Sequence, residues 1–139
     1  MRSYLVVANE TLNGEHLVEK VRECLATGPG RFHIVVPISA PPTRAWTEGE
    51  QAAIARERLD AALVRFRTLG AEVDGEVGDH NPVLAIEDAL REGSFDEIIL
   101  STLPPGPSRW LKLDLPHRAA QHFSLPLTHV VGERTDDKD

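Results

Sequence analysis

The sequence predicts an α/β protein, a three-layer α/β/α sandwich built on a five-stranded, mainly parallel sheet. Short runs of apolar, β-branched residues occur five times, and segments with the period of an amphipathic helix separate them. The runs are largely apolar, as expected of strands buried on both faces. With 139 residues and no internal repeat, the chain fits one domain over residues 1–132, followed by a charged, disordered tail over residues 133–139.

Each predicted strand is too short for a helix and is bounded by residues that favour turns. The first, YLVVA, precedes a turn at Asn13-Gly14, and the fourth, EIILST, follows a helix stop at Gly93. The third is the weakest of the five. In order, the predicted strands are Tyr4–Ala8, Arg31–Ile38, Ala71–Val77, Glu97–Thr102 and Leu125–Val131.

Capping and stop signals set the bounds of the predicted helices. Thr47 and Glu50 form a capping box before the second helix, and Asn81-Pro82 supplies a cap and a first-position proline for the third. Charged residues of the second helix, Arg58 among them, are expected to face water. The four helices cover Glu15–Ala26, the segment from Thr47 to about Leu69, Asn81–Gly93 and a segment that includes His117–His122.

Composition limits the classes of partner. The formal charge of −7 argues against a nucleic-acid or membrane-surface partner, because anionic phosphates attract clustered Lys and Arg. No apolar run approaches the ~20 residues of a membrane-spanning helix, and the N-terminal MRSYLVVANE lacks the layout of a signal peptide. The single Cys24 cannot form an internal disulfide. We therefore expect a cytoplasmic protein.

Parallel strands with right-handed crossovers place their carboxyl ends at one edge of the sheet, where ligands bind in this class of fold. The loop after the fourth strand, LPPGPSRWLKLD, carries Gly106, Ser108 and Arg109, which suit an anion. In most proteins an arginine in such a loop instead pairs with a local carboxylate or points into water. The candidate ligand residues are Asn9, Val36, Pro37, Ser101, Thr102, Gly106, Ser108 and Arg109.

Metal and catalytic chemistry find little support in the sequence. The six histidines are not spaced as metal ligands, since His117 and His122, five residues apart, miss a common helical face. No nucleophile elbow or Walker loop is present, and nothing pairs a base with a nucleophile. We therefore expect no metal site, no catalytic residue and no enzymatic activity, with weak ATP hydrolysis as the alternative.

The segments GDHNPVLAIEDAL and FDEIILST, followed by SRWLKLDLPHRAAQHFSLPLTHV, resemble the universal stress proteins in the order and spacing of their elements. The resemblance extends to about Val131 and implies an adenine nucleotide alpha hydrolase-like topology. ATP-binding members of that family carry Gly-x2-Gly-x9-Gly-Ser/Thr after the fourth strand. The four motif positions are occupied here by Ser101, Pro104, Leu113 and Asp114.

These four departures predict the loss of the standard ATP site. Pro104 has no N–H to offer a phosphate, and Leu113 does not readily take the positive φ of a glycine. Asp114 brings a negative charge where a phosphate oxygen would lie, unless it caps the fourth helix. Asn9 replaces an acidic residue that the family often has after the first strand, and it is still able to bond a ribose or a base.

The resemblance also implies a homodimer in which the last strand pairs across a two-fold axis. The predicted interface residues are Leu125, Leu127, His129 and Val131, and the last three alternate along one face. An edge strand covered in this way is protected from aggregation.

The predicted function is that of a non-catalytic, universal-stress-like protein, a stress-response or regulatory dimer. It has a crevice for a small anionic or nucleotide-like ligand and requires no cofactor. One alternative is a ligand-free dimer that acts through protein contacts. Another is a genuine ATP or AMP binder that uses a modified loop.

Overall fold

The computed structural model describes residues 1–38, 48–79, 81–103 and 115–132. Strands and helices alternate along these residues, as the sequence predicts. In chain order the elements are β1 Arg2–Val7, α1 Glu15–Ala26, β2 Gly30–Pro37, α2 Glu48–Thr68, β3 Glu72–Gly78, α3 Pro82–Glu92, β4 Glu97–Thr102, α4 Leu115–His122 and β5 Leu127–Val131.

The strands form one five-stranded sheet in the order β3-β2-β1-β4-β5. Every pairing is parallel, so all five strands end on the same side, which we call the carboxyl edge. From β1 the chain first builds outward through β2 and β3, and then crosses to the other side of β1 for β4 and β5. The carboxyl ends of β1 and β4 therefore flank a topological switch point, the position where open α/β sheets bind ligands.

Helices cover both faces of the sheet, which confirms the predicted three-layer sandwich. Alternate residues of β1 point to opposite faces, so Val6 packs in the core under α1 and α2, whereas Leu5 and Val7 pack under α3 and α4. All three side chains are fully buried. Burial of each such side chain stabilises the fold by roughly 1.5–3 kcal/mol, so the central strands anchor the domain.

Local signals placed two helices correctly. The helix α1 has the predicted bounds. At α3, the Asn81 side chain accepts hydrogen bonds from the backbone N–H groups of Val83 and Leu84 at 3.0 and 3.4 Å, and Pro82 is the first helical residue. Thr47 and Asp114 lie outside the described residues.

The last strand begins later than the sequence predicts. It starts at Leu127, so Leu125 lies before the strand and packs partly buried against the core under α3 and α4. The proline between them explains the difference, because Pro126 has no N–H to donate to β4. Its carbonyl instead accepts from the Ile98 N–H at 2.9 Å, which opens the pairing of the two strands.

None of the described helices is both long enough and apolar enough to cross a membrane.

Candidate functional site

The carboxyl edge gathers the buried polar side chains of the described residues. Asn9 and Thr11 follow β1, Ser101 and Thr102 end β4, and each is at most 4% exposed. A polar group out of contact with water is costly unless it is hydrogen-bonded. Four such groups at the switch point, against an otherwise apolar core, mark this edge as the candidate site.

Asn9 joins three elements through its amide. Its Nδ2 donates to the carbonyl oxygen of Pro37, at the end of β2, at 2.5 Å. Its Oδ1 accepts from Nη1 of Arg58 on α2. The predicted water-facing role of Arg58 is therefore wrong: it lies beside the buried stripe of α2, and its long side chain reaches the end of β1.

Arg58 brings a guanidinium to the edge, the side chain best shaped for bidentate hydrogen bonds to a phosphate or carboxylate. The backbone around it is tied to the loop after β1, since the Arg58 carbonyl accepts from Nδ2 of Asn13 at 3.2 Å. Two turns further along α2, Arg65 donates to the Asn13 carbonyl at 2.9 Å and to Glu15 at 2.8 Å. These contacts hold α2 firmly beside the candidate site.

A second contact crosses the switch point itself. The hydroxyl oxygens of Thr11 and Ser101 lie 2.5 Å apart and share a hydrogen bond. Gly132 packs against the same threonine: a Cβ on this glycine would lie 3.3 Å from the Thr11 Cβ. The loop after β1, the end of β4 and the end of β5 therefore meet at this point.

Thr102 connects the candidate site to the edge strand β5. Its hydroxyl donates to the Leu103 carbonyl at 2.9 Å and lies 2.7 Å from Nε2 of His129. We assign the single hydroxyl proton to the bond with the Leu103 carbonyl, so the imidazole is the donor in the second bond and Nε2 carries a hydrogen. Burial lowers the pKa of His129, which keeps the ring neutral near about pH 7.

The structure brings together four of the candidate ligand residues: Asn9, Pro37, Ser101 and Thr102. The Val36 side chain is fully buried in the core under α1 and α2, away from the other candidate residues. Gly106, Ser108 and Arg109 lie outside the described residues, as do Pro104 and Leu113. Within the described ranges, no three His, Cys, Asp or Glu side chains are grouped to hold a metal ion.

Sequence reasoning missed Thr11 and Arg58. Thr11 has a weak signal, because it is a hydroxyl residue in the loop that follows a central strand. Arg58 has none, because its period on α2 places it beside other charged residues. Sequence reasoning also missed the Thr102–His129 contact, which joins the end of β4 to β5.

A separate cleft of about 620 Å³ runs between α1 and the edge strand β5. Three glutamates of α1, spaced one helical turn apart, line one wall, and His16 and Lys20 lie among them. Residues of β5 form the other wall. The glutamates are Glu15, Glu19 and Glu23, and the strand residues are Thr128, His129 and Val130.

Among comparisons with known proteins, matches come from the solved structures. No protein-family model and no curated protein matches the sequence. Solved structures do: a universal stress protein from Archaeoglobus fulgidus in complex with dAMP has a TM-score of 0.62 at 16% identity, over 94% of this chain and 98% of that one. A universal stress protein in complex with cAMP has a TM-score of 0.61 at 13% identity, over 95% and 98%.

A third match is a protein of the universal stress protein family from Burkholderia pseudomallei, with a TM-score of 0.58 at 15% identity, over 91% of this chain and 93% of that one. All three cover nearly the whole of both chains, at identities that define a fold and not an activity. The topology implied by the sequence resemblance is thus confirmed. This chain has the fold of the universal stress proteins.

Proposed function

We propose that this chain is a non-catalytic member of the universal stress protein family that acts as a cytoplasmic homodimer and binds a small, anionic, nucleotide-like ligand at its carboxyl edge. The observation that carries the proposal is the set of four buried polar side chains at the switch point. Arg58 lies directly beside them, bonded to Asn9. This combines a positive charge with polar groups in the position where this fold class binds ligands.

The comparisons favour a ligand with a single phosphate. Two of the similar structures are complexes with dAMP and with cAMP. The sequence supports the same choice, because Pro104 and Asp114 occupy motif positions that contact the triphosphate in ATP-binding relatives. One guanidinium suits one phosphate, whereas a triphosphate needs a longer row of N–H donors.

The geometry of the site argues for binding without catalysis. Thr102 and His129 form a hydroxyl–imidazole pair, but the hydroxyl proton is directed to the Leu103 carbonyl and the threonine is 2% exposed. The imidazole therefore donates to the oxygen and does not remove its proton. A nucleophile needs the opposite arrangement.

The homodimer is supported by the outer edge of β5. Pro126 and Gly132 direct their backbone groups to β4, since the former accepts from Ile98 and the latter donates to Thr102. Along a parallel strand these directions alternate, so Leu127, His129 and Val131 present their N–H and C=O groups outward. No described strand pairs with them, and β5 contains no Asp, Glu, Lys or Arg.

A ligand-free regulatory dimer is the second candidate, and one observation favours it. Both ends of the Asn9 amide are bonded within the chain, and the Thr11 and Ser101 hydroxyls bond each other. A ligand that used these groups would first have to displace those contacts. A dimer acting through protein contacts alone would keep them.

Calorimetric titration with AMP, dAMP, cAMP and ATP separates the two candidates. We expect a monophosphate to bind more tightly than ATP, and Arg58→Ala to weaken binding by about tenfold or more, the loss expected for a charged hydrogen bond. Arg56→Ala is the matched control, since Arg56 lies on the outer face of the same helix and pairs with Asp60 at 3.0 Å.

Each outcome of the titration has a clear meaning. Absence of heat with all four nucleotides supports the ligand-free dimer. ATP binding tighter than AMP binding contradicts the inferred loss of the triphosphate site. Release of inorganic phosphate from ATP at a rate above the buffer control contradicts the non-catalytic assignment. Equal thermal stability of the two arginine variants shows that a binding loss in Arg58→Ala is not a folding defect.

A further inference from the structure

His129 occupies the centre of the outward-facing edge of β5. On one side of the strand its imidazole bonds to Thr102, at the end of the candidate ligand site. On the other side its backbone N–H and C=O point away from β4, towards the position that a partner strand would take. The residue is exposed at this edge in the single chain, although its imidazole is partly buried where it meets Thr102. It therefore links the ligand site to the dimer edge.

Symmetry fixes the register of a strand pair at this edge. In an antiparallel pair related by a two-fold axis, the outward N–H and C=O groups of Leu127, His129 and Val131 can all form hydrogen bonds to the partner strand in only one register. In that register, Leu127 lies opposite the partner's Val131. His129 then lies opposite the partner's His129. Such hydrogen-bonded pairs have Cα atoms about 5.5 Å apart and side chains on the same face, so the two imidazoles become neighbours.

We propose that this pair of histidines makes the homodimer pH-sensitive: protonation of His129 in both copies places two positive charges side by side at the axis and separates the copies. The inference rests on the homodimer of the proposed function and adds its regulation. Like charges directly opposite each other in a sheet destabilise the pairing.

The bond to Thr102 determines which ring atom takes the second proton. Because Nε2 already carries a hydrogen and donates it to the threonine hydroxyl, the added proton binds Nδ1. Protonation therefore leaves the internal bond intact. Its effect falls on the interface and not on the fold of the single chain.

Two helices flank β5 and carry the charged or titratable side chains on its two faces. On α4, which packs on the same face of β5 as the His129 side chain, these residues are His117, Arg118 and His122, and His122 bonds to Glu87 at 2.8 Å. On the α1 side, the glutamates of the cleft pair with cations of their own chain: Glu15 with Arg65, Glu19 with Arg22 and Glu23 with Lys20. His16 lines the same cleft. The pKa of His129 in the single chain is lowered by burial.

The direction of the pH effect follows from linkage. In the dimer each imidazole is less hydrated and faces a second imidazole, so its pKa lies below the value in the monomer. Association is then strongest above the monomer pKa and weakens as the pH falls below it. Well below that pKa, two protons are taken up per dimer that dissociates, so the dimer Kd rises about 100-fold per pH unit.

Sedimentation equilibrium between about pH 5.8 and about pH 8 tests the proposal. For the wild type we expect the dimer Kd to rise at least about tenfold across this range as the pH falls. His129→Gln keeps a side-chain N–H donor for Thr102 but has no titratable group at this position. The dimer Kd of this variant should therefore be independent of pH. His16→Gln is the matched control, since His16 lines the neighbouring cleft and should leave the wild-type dependence in place.

The outcomes distinguish this inference from the homodimer itself. A chain that is monomeric at every pH overturns both. A wild-type dimer with a constant Kd, or a His129→Gln dimer that keeps the pH dependence, overturns this inference alone. An NMR titration of the wild-type His129 ring needs no variant: a pKa that rises on dilution supports the proposal, and one that does not change contradicts it.

Discussion

The two edge strands of the sheet differ in the charges that they carry. The edge strand β3 carries acidic side chains on one face, and residues of the neighbouring β2 pair with them. Arg31 lies 2.8 Å from Glu72, and the ring nitrogens of His33 lie 2.9 and 2.8 Å from Asp74 and Glu76. The edge strand β5, in contrast, has no such charges.

The other face of β3 is packed tightly against α2. Gly75 packs directly under α2, where a Cβ would lie 2.6 Å from Leu59 Cδ1 and 2.7 Å from the Ile34 carbonyl oxygen. At β5, Val131 is 42% exposed and a cleft separates the strand from α1. Charged edge strands resist pairing with another chain, and uncharged ones permit it. The comparison teaches that one edge of this sheet is closed and the other is open to a partner.

Filling the space under α2 gives the largest expected effect on the closed edge. We expect Gly75→Ala to destabilise the protein by about 1–3 kcal/mol, because the new methyl meets backbone that cannot rotate away. Urea unfolding measures the change. Gly93→Ala is the control, since its Cβ would lie 3.6 Å from Phe95, an ordinary contact. Equal stability of the two variants would show that α2 does not lock β3.

A charge introduced on the open edge should weaken the dimer. We expect Val131→Lys to raise the dimer Kd by about tenfold or more, because a lysine at a strand pair must be desolvated. The stability of the monomer should not change, since Val131 is already exposed. Sedimentation compares it with Val64→Lys, which adds the same charge at a 64% exposed position of α2. A dimer unaffected by the first variant would place the interface elsewhere.

The histidine of the closed edge predicts a pH dependence of stability. Burial alone would lower the pKa of His33, but hydrogen bonds and attraction from Asp74 and Glu76 outweigh it and raise the pKa. A raised folded-state pKa stabilises the protein fully below the unfolded value of about 6.5, and the stabilisation is lost as the pH rises through the folded value.

We therefore expect His33→Gln to cost stability at acidic pH, on the order of 1 kcal/mol. The difference from wild type should shrink as the pH is raised. Urea unfolding across this range measures it, with His117→Gln on α4 as the control. A difference that grows with pH would mean that the two carboxylates do not hold the protonated ring.

The smallest effect is expected for the surface pair of the closed edge. Arg31 and Glu72 have side chains that are 56% and 59% exposed. We expect Arg31→Ala to change the free energy of unfolding by no more than about 0.5 kcal/mol. A larger loss, one that also weakens with added salt, would show that the charges hold β3 in place in addition to shielding its edge.

Local signals in the sequence were enough to predict the architecture. The alternation of strands and helices, the bounds of α1 and the cap at Asn81 all depend on residues close in the chain. The late start of β5 shows the same principle, since Pro126 limits the strand through its missing N–H. The start of β1, at Arg2 instead of Tyr4, was also misplaced, because the polar residues before the apolar run gave no strand signal.

The candidate site depended on contacts that no local pattern encodes. Thr11 and Ser101 are 90 residues apart, and Arg58 meets Asn9 across 49. The sequence predicted that the ends of β1, β2 and β4 would converge, because parallel topology requires it. The identity of the side chains that bond there depends on how each loop folds over the sheet edge and on where α2 lies. Both are set by tertiary packing.

The strand order also has a consequence for the rate of folding. Neighbouring strands within each half of the sheet are joined by one helix, whereas the central pair, β1 and β4, brings together residues such as Ser3 and Asp96, 93 positions apart. Closing that longer loop costs about 1 kcal/mol more entropy than closing a single crossover. We expect the two halves to form first and the central seam to close last, with the Thr11–Ser101 contact as a late marker of the native state.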